Sequence, residues 1–299
     1  MTISLRVAFP IRDLERATNQ IPYSRWRFPA HEVGVKLAAM DIDPAEQYQI
    51  DVMMPTMDEL WELANICNAL VHAGVPTNSI HVFMPYVPYG RQDRVTSEGT
   101  AFSLQVFAAF FRSTVCCGTL TISDPHSQVT TSLLDSFQYE LAVLSQADEF
   151  IATLRAENNW DRIAPMTQYD CLIAPDAGAA QKVEHVADRC AHEWGFRPAV
   201  YTIEKTRGAV GHVEHTLPSG LAIRGSACIV DDICDGGATL ISLGRMLRDT
   251  QPEMTELSCY VTHGIFSKPD NYTLMQTIFR RVHARYNYSV AQTSVAIPR

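Results

Sequence analysis

With 299 residues, 46% of them hydrophobic, the chain holds enough apolar material for more than one core of ordinary size. No apolar run approaches the ~20 residues of a membrane helix, and Met1 to Pro10 has no basic stretch leading into an apolar signal core, so a soluble cytoplasmic protein is expected. A formal net charge of −9 repels phosphate on average, which excludes broad nucleic-acid or anionic-membrane binding and makes any phosphate site a local one.

In chain order, the first strong signal is a helix from Met57 to Ala73. Leu60, Trp61, Leu63, Ala64, Cys67, Leu70 and Val71 form one wide apolar face, and Gly74 stops it. An apolar strand follows over Ser79 to Tyr86, then a helix over Phe102 to Phe111 and a strand over Thr119 to Asp124. The polar stretch Arg155 to Arg162 separates this series from a second one. The boundary falls between residues 145 and 165, dividing the chain into domains 1–148 and 149–299. The second series has strands over Cys171 to Pro175, Ala199 to Ile203, Ala227 to Val230 and Leu257 to Val261, with helices over Ala179 to Trp194 and Thr239 to Leu247. Strand and helix in alternation predict an α/β protein with mostly parallel sheets flanked by helices and ligands at the carboxyl ends of strands. The eight cysteines are scattered through apolar runs without CxxC pairs, which predicts reduced, packed thiols.

The most informative run is ACIVDDICDGGATLISLGRML, starting at Ala227. An apolar strand delivers Asp231 and Asp232 to its exit, and Asp235, Gly236, Gly237, Ala238 and Thr239 lead into a helix. Glycines let backbone approach an anion, the first N–H groups of a helix donate to it, and the helix dipole favours its charge. A bare Gly-Gly turn is equally a strand-to-helix connection with Asp235 as its cap. Two adjacent acids on an apolar strand shift the balance to a site, because burying carboxylates without a ligand is costly. Lys205 and Arg207 stand two apart after a strand, so extended backbone directs both to one side. By themselves they are also an ordinary solvated pair. His126, after Asp124 and Pro125, is a candidate phosphate or metal contact, and Phe28 is a candidate for simple core packing. His212 and His215 flank Glu214 at a spacing that fits no metal template and read as a solvated loop.

The run from Ala227 resembles the sugar-phosphate motif shared by phosphoribosyltransferases and phosphoribosyl pyrophosphate (PRPP) synthetases, the ribose-phosphate diphosphokinases. Six further segments resemble the latter family in its own order: RFPAHEV from Arg27, PYVPYGRQDR from Pro85, SDPHSQ from Ser123, APDAG from Ala174, EKTR from Glu204 and THGIFS from Thr262. The transferases lack the ATP-binding segment that Pro85 to Arg94 resembles. The resemblance implies two phosphoribosyltransferase-like domains, the first binding ATP and the second a sugar phosphate. The reaction it implies is transfer of the β,γ-diphosphoryl group of ATP to the anomeric hydroxyl of a 5-phosphorylated ribose, with AMP leaving.

It also implies roles. Lys205 and Arg207 are the catalytic cations, and Phe28, Glu32, Arg91, Gln92 and His126 bind ATP, the first two from an adjacent subunit. Asp231, Asp232, Asp235, Gly236, Gly237, Ala238 and Thr239 bind the sugar phosphate, and His126 with Asp176 holds Mg²⁺. ATP and the sugar phosphate are then the partners, in a homo-oligomer. Two departures stand out. Threonine usually follows the third aspartate of the sugar turn, where this chain has Gly236, and glycine usually precedes its last threonine, where it has Ala238. The lost hydroxyl weakens binding of a terminal phosphate or makes room for one that carries more, so ADP-ribose is a second candidate acceptor, giving ADP-ribose 1-pyrophosphate. The segment VTSEGTAFSL after Arg94 lacks the basic residues of the family's regulated members, which predicts weak phosphate activation and ADP allostery. A non-catalytic regulatory member of the family is the alternative from another class.

Overall fold

The computed structural model describes residues 3–8, 20–38, 41–135, 138–157, 169–207, 213–218 and 221–289, with backbone alone for residues 7–8, 205–207 and 213–214. The chain forms two compact units, residues 1–144 with 299 and residues 145–298.

The first unit contains β1 (Ile3–Ala8), β2 (Tyr23–Arg27), β3 (Val33–Leu37), β4 (Gln47–Val52), α1 (Met57–His72), β5 (Ile80–Phe83), α2 (Ser103–Thr114), β6 (Thr119–Ser123), α3 (Gln128–Leu134) and β7 (Glu140–Leu144). Its sheet runs β1-β4-β5-β6-β7, with β1 antiparallel and the rest parallel. Helix α1 begins with a reciprocal capping box, Thr56 with Glu59, and ends where Gly74 takes φ +93. Leu60, Leu63, Ile66 and Leu70 of α1 and Leu104, Phe107 and Phe111 of α2 bury against Tyr48, Ile50 and Val82 of the sheet.

β2 and β3 form a separate antiparallel hairpin. The Trp26 ring covers Gly34, its cross-strand partner, where an added Cβ would lie 2.3 Å from the indole. Glu62 of α1, buried, pins the hairpin: it accepts from the Tyr23 hydroxyl at 2.8 Å and pairs with Arg25 at 3.0 Å.

The second unit contains α4 (Gln146–Glu157), β8 (Cys171–Ala174), α5 (Ala180–Trp194), β9 (Ala199–Thr202), β10 (Glu204–Arg207), β11 (Val213–Thr216), β12 (Gly225–Cys234), α6 (Ala238–Thr250), β13 (Met254–Gly264), α7 (Pro269–Ile278) and β14 (Val282–Asn287). Its sheet, β14-β13-β12-β8-β9, is parallel throughout. Alternation along β12 feeds two cores: Ala227 and Ile229 pack with Leu240, Leu243 and Leu247 of α6, while Cys228 and Val230 pack with Phe150 of α4 and Val186 of α5. Each unit is thus a mostly parallel sheet flanked by helices, the phosphoribosyltransferase-like arrangement expected from the sequence. Among the described residues no helix is long and apolar enough to cross a membrane.

Removing the Glu62 carboxylate leaves a phenol and a guanidinium without their shared acceptor. Hydrogen bonds to a charged group contribute about 1.5–3 kcal/mol, and Arg25 is exposed enough to recover some hydration. Glu62→Ala is therefore expected to cost about 2 kcal/mol in denaturant unfolding and to speed hydrogen exchange in β2 and β3 selectively.

Candidate functional site

In the second unit the chemistry collects past the end of β8. That strand pairs with β12 only through Ile229, so β12 continues beyond its neighbour and carries Asp231 and Asp232 within the strand, ending at Cys234. The sequence had placed the strand end at Val230. β13 escorts this extension on the other side, pairing Asp231 with Val261 and Cys234 with Gly264.

Asp176 lies in the turn after β8, where its Oδ1 accepts from the backbone N–H groups of Gly178 at 3.0 Å and Ala179 at 3.2 Å, just ahead of α5. Asp231 Oδ1 accepts from the N–H of Asp232 at 2.9 Å, and Asp232 pairs with Lys182 of α5 at 3.5 Å. Burial, then the charge of Asp232 and more weakly that of Asp176, holds the Asp231 carboxyl well above the usual carboxylate range. A carboxylate in that position gains when a ligand hydroxyl or a cation approaches it.

The turn has backbone geometry that can receive an anion. Gly237 sits at φ +76 as the N-cap of α6, so glycine is required there, and Ala238 and Thr239 open the helix with their N–H groups unused by the α-helical ladder. Its outer wall comes from the β13–α7 connection. Ser267 donates its N–H to the Asp235 carbonyl at 3.1 Å and its hydroxyl to Asp235 Oδ1 at 2.6 Å, while Asn271 Nδ2 donates to the Gly236 carbonyl at 2.5 Å. The stem of Lys268 lies over Gly236, with Cδ 3.3 Å from where a Cβ would stand. Sequence reasoning missed Lys268, since only the folded contact with a glycine thirty-odd positions earlier reveals it. The Cys234 thiol beside the turn is buried, which pushes its pKa up to about 12 and leaves it as packing.

Lys205 and Arg207 are in β10, whose antiparallel partner β11 sets Lys205 opposite His215 and Arg207 opposite Val213. The stretch holding Glu214 and His215 is therefore a strand and not a solvated loop. His215 is half-buried, with Nε2 2.8 Å from Ser242 Oγ of α6. His212 falls outside the described residues.

In the first unit, adjacent strands β5 and β6 deliver Arg91, Gln92 and His126 to the carboxyl end of the sheet. Pro85 to Arg94 leaves β5 as a tight turn with Tyr89 at φ +62, closed by Gly90 N–H to Val87 carbonyl and Gln92 N–H to Tyr89 carbonyl. Arg91 and Gln92 are exposed at its tip, and Asp93 stays by its neighbour Arg94 at 3.9 Å. The β6 exit passes through buried Asp124, at φ +39, to exposed His126. A bond from the Ser123 N–H to the Pro85 carbonyl, 3.1 Å, ties the two exits together. Phe28 and Glu32 stand on the tip of the β2–β3 hairpin, carried by α1. Phe28 is 48% exposed, so it is not core packing; its ring meets Trp26 edge-on at 5.8 Å. Among the described residues, no three His, Cys, Asp or Glu side chains are gathered to hold a metal ion unaided.

No family model matches the chain. It is 26% identical to a ribose-phosphate pyrophosphokinase of Maricaulis maris over 246 residues, covering 82% of this chain and 72% of that one. Ribose-phosphate pyrophosphokinase 2 of Saccharomyces cerevisiae is 26% identical over 75% of this chain and 64% of its own, and the Pyrococcus furiosus enzyme 25% over 63% and 60%. Matches to these relatives thus span about two thirds of their length. The crystal structure of phosphoribosylpyrophosphate synthetase from Mycobacterium smegmatis superposes with a TM-score of 0.66 at 19% identity, covering 91% of this chain and 82% of that one, which establishes the shared fold.

The raised Asp231 pKa has a definite consequence for stability. The folded state favours the protonated carboxyl, so stability is fully present below the unfolded value near 3.8 and declines as pH rises through the folded one. Asp231→Asn keeps the acceptor for the Asp232 N–H and removes the buried charge. It is expected to raise the melting temperature by about 2–4 °C at pH 7.5, roughly 1 kcal/mol for a unit of this size, with the gain vanishing near pH 4 in a calorimetric pH series.

Proposed function

We infer that this chain, which belongs to the ribose-phosphate diphosphokinase (PRPP synthetase) family, is an ATP-dependent pyrophosphokinase acting on the anomeric hydroxyl of a 5-phosphorylated ribose. The observation that carries this reading is the β12–α6 segment. The adjacent carboxylates Asp231 and Asp232 and the N–H groups that open α6 lie up to eight residues apart, at the two ends of one strand-to-helix turn. A ribose 5-phosphate presents hydroxyls to the one and a phosphate to the other.

The reaction needs little covalent chemistry from the protein. The anomeric hydroxyl attacks the β-phosphorus, a new P–O bond forms, the bond from that phosphorus to the α,β-bridging oxygen breaks with its electron pair leaving on AMP, and the hydroxyl proton passes to water. Gly236, Gly237, Ala238 and Thr239 hold the 5-phosphate, while Asp231 and Asp232 accept from ribose hydroxyls. Arg91 offers a planar donor fork and Gln92 an amide to the nucleotide. Phe28 and Glu32 project from an exposed hairpin tip, as residues that serve an adenine across a subunit boundary must, which supports a homo-oligomer. Lys205 and Arg207 stabilise the charge that grows on the transferring group.

The donor chemistry suits Mg²⁺ at the carboxylate of Asp176, a hard oxygen ligand, and His126 of the first unit offers a neutral nitrogen to a metal-bound nucleotide. When bound, the ion neutralises triphosphate charge.

The acceptor's far end is open to a second reading. Gly236 and Ala238 supply no hydroxyl, and the Lys268 stem against Gly236 brings a flexible cation to the phosphate end of the turn. A cation at that point suits a ribose 5-phosphate extended through a diphosphate, as in ADP-ribose.

Mass spectra of products formed from Mg-ATP with ribose 5-phosphate and with ADP-ribose decide between the acceptors. A mass gain of one diphosphoryl group with matching AMP is expected for at least one, and AMP release with ribose 5-phosphate alone removes the extended acceptor. Lys205→Ala is expected to lower kcat about 10²–10³-fold with ATP binding retained. Intact turnover in that variant would refute the assigned role, and a wild type that binds ATP yet releases no AMP would indicate a regulatory protein.

A further inference from the structure

The strand paired with β10 is fastened to the helix that receives the acceptor phosphate. Ser242, one turn into α6, donates its hydroxyl proton to the Thr239 carbonyl at 3.0 Å. A hydroxyl has one proton to give, so toward His215 Nε2, 2.8 Å away, its oxygen accepts, and Nε2 carries the hydrogen. Two hydrogen bonds in series therefore run from the register position opposite Lys205 to the last residue of the sugar-phosphate turn. Among the described residues the four-residue strands β10 and β11 pair with each other and join neither edge of the five-stranded sheet.

We propose that His215 is a positioning residue: it seats the β10–β11 hairpin on α6 through Ser242 and so delivers Lys205 and Arg207 to the transferring diphosphoryl group. The proposal deepens the function above and rests on it. One hydrogen bond is too small to hold a unit of this size together, yet it suffices to bias a two-stranded hairpin about tenfold toward its seated state. His215 thus governs how often the cations are in place, and leaves ATP binding to the other unit's residues.

His215→Ala, Ser242→Ala and His215→Gln would be compared in the full-length protein. His215→Ala and Ser242→Ala are expected to speed hydrogen exchange about tenfold at amides of residues 204–207 and 213–216, to lower kcat by a similar factor and to leave the KM for ATP unchanged. His215→Gln, which keeps an N–H donor near the same place, is expected to restore most of both. In a double-mutant cycle, adding His215→Ala to Lys205→Ala should cost almost nothing further, because one acts through the other. Unchanged hairpin exchange in His215→Ala, or a full additional loss on the Lys205→Ala background, would overturn the proposal. A wild type inactive with every acceptor would refute the function itself, and the exchange measurement would still decide whether His215 seats the hairpin.

Discussion

Everything in the second unit follows from burying a parallel sheet on both faces. β12 is walled by α6 on one side and by α4 and α5 on the other, so its interior positions accept only apolar or small residues. On β12 the acids come only past the point where its neighbour stops. β8 stops first, and the length by which β12 outruns it is where the paired acids appear. The site is a property of unequal strand lengths as much as of residue types.

The same geometry explains why the acids are costly and kept. Asp231 is close to the cores and to two other carboxylates, and each factor drives its proton affinity up. The Asp232 N–H, which donates to Asp231, offsets part of this, and Lys182 reaches Asp232, at 3.5 Å, from the adjacent helix. A stability-driven design would place an amide there. The wall around the turn is by contrast well tied: Ser267, Asn271 and the buried Phe266, at φ +48 with its ring over Gly264, fix the backbone of the turn.

The legible part of the sequence was the part governed by local pattern. The α1 face, the β12 apolar run and the Gly-Gly turn read directly, because burial on two sides gives continuous apolar stretches and a left-handed N-cap demands glycine at 237. Elements whose partners lie far away in the chain did not read. β14, VHARYN, alternates without an apolar run, and its place is fixed by Glu149 of α4, which binds Arg285 and the Tyr286 hydroxyl. β10 and β11 are four residues each and polar, so their strand character comes from pairing with each other. His215 looked like a loop histidine for that reason, since its meaning is carried by Ser242, twenty-seven positions on.

Lys268 illustrates how a departure from a family pattern is read physically. Losing the threonine hydroxyl at position 236 removes one fixed donor to a phosphate. The glycine there then admits the lysine stem, since a residue with a Cβ would have to displace Cδ from 3.3 Å. A fixed, neutral, short-range donor is thereby exchanged for a mobile charge with longer reach. A hydroxyl discriminates by geometry, recognising one oxygen of one phosphate, whereas an ammonium follows total charge and tolerates where that charge sits.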